Sequence, residues 1–140
     1  MEDLERVLIT GGAGFIGSHL VDDLQQDYDV YVLDNYRTGK RENIKSLADD
    51  HVFELDIREY DAVEQIMKTY QFDYVIHLAA LVSVAESVEK PILSQEINVV
   101  ATLRLLEIIK KYNSHIKRFI FASSAAVYGD LPDLPKVINH

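Results

Sequence analysis

The chain of 140 residues contains no cysteine, and this excludes disulfide bonds, thiolate metal sites and cysteine nucleophiles. Basic residues are scarce too, because 14 lysines and arginines stand against 23 aspartates and glutamates, giving a formal net charge of −9. No basic patch is therefore available to neutralise a nucleic-acid backbone, so we expect no nucleic-acid partner. Membrane-length apolar runs and a basic leader are also lacking, so we expect a cytoplasmic protein without a membrane contact.

The remaining composition, 48% hydrophobic and 26% charged, is ordinary for one globular domain of this length. Short apolar segments at residues 6–10, 30–33, 51–55, 74–78 and 118–122 read as strands. Helical periodicity separates them at 16–24, 60–70 and 91–112, and residues 81–90 read as a loop or a broken helix. This alternation predicts an α/β fold with a doubly wound parallel sheet of about five strands.

The turn after the first predicted strand is glycine-rich and reads TGGAGFIG. Gly12, Gly14 and Gly17 have the G-x-G-x-x-G spacing, which lets a pyrophosphate approach the backbone at a helix N-terminus. Asp34 ends the second strand 20 residues past Gly14, where a carboxylate accepts hydrogen bonds from a ribose. The sequence therefore predicts a dinucleotide site, against the alternatives of a simple glycine turn and of an Asp34 that only caps a turn.

The same carboxylate favours NAD over NADP, because it repels a 2′-phosphate. Arg37 is the opposing signal, since a nearby arginine accommodates that phosphate.

Polar or small residues follow each predicted strand, and the carboxyl ends of parallel strands share one edge of a sheet. Asp56 lies at such an end, but capping of the next helix is an equal alternative for it. Ser123 and Ser124 follow the fifth strand, where they could equally satisfy strand-end backbone. His77 is predicted to be a packed or hydrogen-bonded core histidine without chemistry.

Six ordered blocks of the sequence resemble the N-terminal half of the extended short-chain dehydrogenase/reductase family: TGGAGFIGSHL, VLDNYRTGK, LDI, VIHLAA, INVVATLRLLE and FIFASSAAVYGD. The likeness is greatest to NAD-dependent nucleotide-sugar epimerases of the UDP-glucose 4-epimerase type. It implies a Rossmann-type doubly wound parallel sheet, truncated after about five strands. Residues 1–140 would then be an incomplete NAD-binding domain, without the family's C-terminal substrate domain.

The resemblance implies a role for one set of residues in NAD binding, and all of them lie within those blocks: Gly11, Gly14, Phe15, Ile16, Gly17, Asp34, Asn35, Thr38, Asp56, Ile57, Leu78, Ala79, Ala80 and Asn98. The first five would hold the pyrophosphate. Asp34 would accept hydrogen bonds from the adenosine ribose, with Asn35 and Thr38 beside it. Asp56 and Ile57 would meet the adenine, and Asn98 would sit near the nicotinamide. Ser83 and Ser124 would contact the UDP-sugar, and Ser124 would be the catalytic residue that hydrogen-bonds the sugar hydroxyl being oxidised. No metal is implied.

The family's mechanism passes a hydride from sugar C4 to NAD and returns it to the other face. Its general base is a Tyr with a Lys four residues later on a helix that follows the Ser-Ser segment. We expect this chain to lack that pair and to be inactive alone, because the sequence stops at His140 before such a helix.

Three alternatives to a complete epimerase activity stay open. Nucleotide-sugar 4,6-dehydratases carry acids where this chain has Ala125 and Ala126, so an epimerase is favoured over a dehydratase. A non-catalytic NAD-binding module is the second alternative. The third is a protein–protein element, in which the helix at 91–112 packs against a partner through apolar residues that the sheet does not need. The resemblance assigns this helix to a homodimer interface. Val82 and Ala126 leave the identity of the sugar open.

Overall fold

The computed structural model of the chain describes residues 3–139. Its centre is a five-stranded, all-parallel sheet with the strand order β3-β2-β1-β4-β5. The strands are β1 (Arg6–Thr10), β2 (Asp29–Asp34), β3 (Val52–Glu54), β4 (Tyr74–His77) and β5 (Arg118–Phe121). The predicted doubly wound parallel sheet is confirmed, and every strand lies within two residues of its predicted bounds.

Within residues 3–139, five α-helices connect the strands: α1 (Phe15–Leu24), α2 (Tyr60–Tyr70), α3 (Val84–Glu89), α4 (Pro91–Gln95) and α5 (Ala101–Tyr112). The predicted helix at 91–112 is interrupted by a π-helical segment, Glu96–Val100, that joins α4 to α5. Short 3₁₀ turns occur at Arg41–Ile44, Asp49–His51 and Ala125–Tyr128. The described connection from β2 to β3 therefore contains two 3₁₀ turns and no α-helix.

The central strands are buried on both faces, which explains their nearly continuous apolar sequence. Along β1, Leu8 packs into one hydrophobic cluster while Val7 and Ile9 pack into the other. The first cluster is covered by apolar side chains of α2 and α5, including Met67. The second is covered by α1 through the fully buried Val21. The sheet therefore lies between helices on both of its faces.

The β5 side of the sheet is less covered than the centre. Ile120 and Phe121 on β5 are 44% and 55% exposed, whereas Leu8 and Ile9 on β1 are fully buried. Beyond β5, the described chain to residue 139 is mostly exposed. The sheet is thus well covered at its centre, around β1, and open at its β5 edge.

The chain reverses its direction of travel across the sheet between β1 and β4. It runs outward from β1 through β2 to β3, and then crosses back to place β4 on the other side of β1. The carboxyl ends of β1 and β4 diverge into different loops at this switch point, and open α/β sheets bind ligands there.

Candidate functional site

A cleft of about 500 Å³ opens at this switch point, beyond the carboxyl ends of β1, β2 and β4. Its walls contain most of the residues singled out from the sequence: Gly11, Gly14, Phe15, Ile16, Gly17, Asp34, Asn35, Thr38, Asp56, Ile57, Leu78, Ala79, Ala80 and Ser83. Asn98 and Ser124 do not line it. Arg37, Glu86 and Ser123 lie in the walls as well.

Two glycines of the turn are required by the fold itself. Gly11 has a φ of +70°, and a Cβ there would lie 2.8 Å from the backbone nitrogen of Ala79. A Cβ on Gly17 would lie 2.5 Å from the Cα of Gly12. Both positions therefore allow β1, α1 and the β4 end to approach closely, whatever the cleft binds.

Gly14 differs, because nothing inside the protein demands a glycine there. Its φ of −79° is open to any residue, and an added Cβ would meet only the carbonyl oxygen of Gly11, at an ordinary 3.5 Å. Gly14 nevertheless lies in the cleft wall at the N-cap of α1, and no side chain caps that helix. At an uncapped helix N-terminus the backbone N–H groups can bind a phosphate, and a glycine leaves room for the phosphate to reach them. The site therefore fits the pyrophosphate of a dinucleotide.

Asp34 fixes the glycine-rich turn and also lies in the cleft wall. Its Oδ2 accepts a hydrogen bond from the backbone N–H of Ala13 at 3.0 Å, and its Oδ1 accepts from that of Tyr36 at 2.8 Å. The carbonyl of Ala13 in turn accepts from the backbone of Lys40 at 3.2 Å and from the side chain of Asn43 at 2.9 Å. The loop after β2 thus clamps the turn after β1.

That clamp was not predicted from the sequence. A Cβ on Gly39 would lie 2.7 Å from the carbonyl of Ala13, so this loop glycine packs against the turn. The polar composition of residues 35–43 indicated a loop, but it could not show that the loop folds back onto Ala13.

Asp56 is held by an arginine. Its Oδ1 accepts from Nε of Arg58 at 2.9 Å and its Oδ2 accepts from Nη2 at 2.8 Å, while Asn35 donates to Oδ2 at 3.3 Å. The Arg58 hydrogen bond is the main cause that lowers the pKa of Asp56 to about 2. The N-cap of α2 is Glu59, so Asp56 does not cap that helix itself. The Oδ1 of Asp56 instead accepts from the backbone N–H of Arg58 at 2.8 Å, in the turn that leads into α2. Asp56 therefore offers the cleft an ionised acceptor.

Behind the cleft, His77 is a buried, hydrogen-bonded core histidine, as predicted. Its Nδ1 lies 2.6 Å from Oγ1 of Thr10 and its Nε2 lies 3.1 Å from Oγ1 of Thr102. Burial lowers the pKa of His77 to about 4, so the ring is neutral at pH 7. Thr10 Oγ1 also accepts from the backbone N–H groups of Leu78 and Ala79, at 3.0 and 3.1 Å. The network fixes the wall that follows β4.

Asn98 lies behind the wall rather than in it. Its Oδ1 accepts from the backbone N–H of Leu81 at 2.8 Å, and its Nδ2 donates to the Leu81 carbonyl at 3.1 Å. Both ends of the amide are therefore engaged by the backbone of Leu81, which does line the cleft. Asn98 thus supports the wall through Leu81, and its place near the nicotinamide stays a prediction.

The two serines proposed to contact substrate differ in position. Ser83 lies in the cleft wall and caps α3, because its Oγ accepts from the backbone N–H of Glu86 at 3.2 Å. Ser124 is exposed outside the wall, and its Oγ accepts from the backbone N–H of Ala126 at 3.1 Å. In this structure Ser124 thus takes the backbone-capping role that was its alternative, while Ser123 lies in the wall.

The expected absence of a Tyr-x-x-x-Lys spacing is wrong in one respect, because Tyr36 and Lys40 have it. They lie in the loop after β2 rather than on a helix, and Tyr36 has a φ of +59°. Burial raises the pKa of Tyr36, whereas a general base needs a lowered one. Tyr36 is also outside the cleft wall, so this pair does not supply the missing base.

Among residues 3–139, Arg37 is the one Lys or Arg in the cleft wall, which also contains the carboxylates of Asp34, Asp56 and Glu86. Its guanidinium donates to Oε1 of Glu86, and the two form an ion pair.

Two further searches covered residues 3–139 only. Over that range no group of three or more His, Cys, Asp or Glu side chains could hold a metal ion. None of the helices in the same range is both long and apolar enough to cross a membrane.

Comparison with known proteins gives consistent matches over nearly the whole chain. The family model described as GDP-mannose 4,6 dehydratase matches residues 8–139. UDP-glucose 4-epimerase 2 of Arabidopsis thaliana is 41% identical over 138 residues, which cover 92% of this chain and 39% of that protein.

Solved structures agree with these matches. UDP-glucose 4-epimerase of Thermus thermophilus in complex with NAD has a TM-score of 0.82 and 42% identity, covering 94% of this chain and 42% of that one. UDP-N-acetylglucosamine 4-epimerase of Methanobrevibacter ruminantium in complex with UDP-N-acetylmuramic acid has a TM-score of 0.79 and 42% identity, covering 99% and 43%. The chain thus spans about two-fifths of the length of these relatives.

Proposed function

Because the chain belongs to the extended short-chain dehydrogenases/reductases, in the group that contains GDP-mannose 4,6-dehydratases and UDP-glucose 4-epimerases, we propose that it is the NAD-binding part of a nucleotide-sugar 4-epimerase. The observation that carries the proposal is Gly14, which faces the cleft without any internal reason to be glycine. A pyrophosphate against the uncapped N-terminus of α1 supplies that reason.

The positions of the other residues in the cleft wall indicate which part of the cofactor each would contact. Asp34 at the end of β2 lies in the wall and would accept hydrogen bonds from the adenosine ribose, with Asn35 and Thr38 beside it. Asp56, ionised by Arg58, is the acceptor for the adenine amino group, and Ile57 flanks the ring. The nicotinamide end then lies toward Leu78, Ala79 and Ala80. When bound, NAD supplies the hydride acceptor for oxidation of the sugar.

An epimerase is favoured over a dehydratase because Ala125 and Ala126 carry no proton to give to a leaving group. The 140-residue chain does not itself epimerise a UDP-sugar in this proposal. Its only Tyr-x-x-x-Lys spacing lies outside the cleft, and Ser124 lies outside the wall. Turnover by the purified chain at a rate typical of nucleotide-sugar epimerases would contradict this part.

The test compares two glycine variants in calorimetric titrations with NAD and in thermal melts. Gly14→Val should fold like the wild type, because an added Cβ meets only an ordinary contact. It should bind NAD at least about tenfold more weakly, because the added side chain lies in the cleft wall beside the proposed pyrophosphate. Gly17→Val should lose thermal stability, because its side chain collides with the backbone of Gly12. A folded wild type that does not bind NAD, or a Gly14→Val chain that binds it equally well, would overturn the proposal.

We also propose that the chain forms a homodimer through the helical segment at 91–112. The apolar side chains on its outer surface are Ile92, Val99, Val100, Leu103 and Leu106, from 39% to 75% exposed. The opposite face is buried against the sheet through Leu105, Ile108 and Ile109. A helix with apolar residues on two faces is typical of one that packs both inward and against a partner.

A further inference from the structure

The ion pair between Arg37 and Glu86 joins two walls of the cleft. Arg37 follows β2 and Glu86 lies on α3, which follows β4, and β1 separates these two strands in the sheet. The pair therefore bridges from the ribose-side loop to the opposite wall. Glu86 is anchored where it stands, because its backbone N–H donates to the capping Oγ of Ser83 at 3.2 Å.

The charged side chains of the cleft wall are mostly negative. Asp34, Asp56 and Glu86 contribute three carboxylates, and Arg37 contributes the one guanidinium. Asp56 already has its own cation, Arg58, which lies outside the wall. In the part of the wall that residues 3–139 form, Arg37 is thus the one cation that could meet a phosphate, and Glu86 is paired with it.

We propose that Glu86 is a specificity-determining residue, which excludes dinucleotides carrying a 2′-phosphate by holding Arg37 in an ion pair. This inference rests on the proposed NAD site. A 2′-phosphate brings a charge near −2 beside Asp34, and a free arginine is the group that receives such a phosphate bidentately. Pairing with Glu86 leaves the repulsion from Asp34 uncompensated.

The ordinary alternative is an ion pair without a function. The two side chains are 39% and 28% exposed, and ion pairs this close to solvent contribute little to stability. Stability measurements therefore do not separate the two interpretations. Discrimination between two ligands that differ only by the 2′-phosphate does.

The experiment is a calorimetric titration of NAD and of NADP into the 140-residue chain and its Glu86→Gln variant. Glu86→Gln keeps the size of the side chain and removes the charge that pairs with Arg37. The ratio of the NADP to the NAD affinity should rise by about threefold to tenfold. Glu89→Gln is the matched control, because it removes the same charge from the exposed end of the same helix, outside the wall. It should leave the ratio unchanged.

A double variant tests whether the rise in the ratio of the NADP to the NAD affinity comes from Arg37. Arg37→Gln combined with Glu86→Gln should return the ratio to the wild-type value or below it. An unchanged ratio in Glu86→Gln, or a gain that persists in the double variant or appears in Glu89→Gln, would overturn the inference while the NAD site stands. A folded wild type that binds neither dinucleotide would overturn the proposed function and this inference with it.

Discussion

At the scale of single residues, two histidines are held in opposite ways. His77 is enclosed between Thr10 and Thr102, and burial lowers its pKa to about 4. Burial also acts to lower the pKa of His51, but hydrogen bonds to Asp50 and Asp29 at 2.7 and 2.8 Å outweigh it and raise that pKa above its ordinary value. The fold thus favours the neutral ring at one site and the charged ring at the other.

The two histidines should give stability opposite pH dependences. Below an unfolded pKa of about 6.5, the unfolded chain binds a proton at His77 that the folded chain does not. Stability should therefore fall as the pH falls from about 6.5 toward about 4, by up to about 3 kcal/mol. The stabilisation from His51 is fully present below about pH 6.5 and is lost as the pH rises through its raised folded pKa.

Urea unfolding at about pH 5 and about pH 7.5 measures the loss of stability at low pH that His77 causes. His77→Gln should flatten the difference between the two pH values, although the variant is less stable at both. His51→Gln, the control at a histidine of opposite behaviour, should leave the loss at low pH in place. Equal pH dependence in the wild type and His77→Gln would contradict the assignment, as would an imidazole NMR signal of His77 that titrates near pH 6.5.

At the scale of elements, the periodicity of apolar residues predicted the strands and most of the helices, because these depend on residues close in sequence. The bounds of β1 and α2 match residue for residue, because their apolar patterns are regular. The π-helical segment was missed, because no residue type in EINVV breaks a helix. The supports of the cleft wall were missed for another reason. The bonds from Thr10 to Leu78 and from Asn98 to Leu81 depend on long-range pairing that a linear pattern does not contain.

The π-helical segment makes a prediction of its own. It carries Asn98, whose amide holds both backbone groups of Leu81, and π-helical turns are often found at functional sites. Asn98→Ala should leave those groups without their partners and destabilise the wall by about 1 to 3 kcal/mol. Hydrogen exchange at the Leu81 amide, followed by NMR, should accelerate about tenfold or more.

Gln95→Ala is the control for that variant, because Gln95 is exposed one turn earlier, at the end of α4. It should leave the exchange at Leu81 unchanged. Wild-type protection of Leu81 in Asn98→Ala would show that the wall does not depend on this amide.

At the scale of the whole molecule, two apolar surfaces could bring chains together, and they lie on different elements. One is the outer face of the segment at 91–112, and the other is the open side of the sheet at β5. Exposed strand edges are prone to association, so self-association alone does not identify the helical interface. The proposed dimer requires that the helical face, and not the sheet, carries the contact.

Sedimentation velocity on charge-insertion variants separates these surfaces. Leu103→Asp places a charge at the centre of the helical face and should convert a dimer into a monomer, because an unpaired charge buried in an interface costs several kcal/mol. Leu4→Asp makes the same change at an exposed leucine ahead of β1 and should leave the dimer intact. Ile120→Lys tests the open side of the sheet. A Leu103→Asp chain that stays dimeric while Ile120→Lys becomes monomeric would move the interface to β5, and a monomeric wild type would remove the dimer altogether.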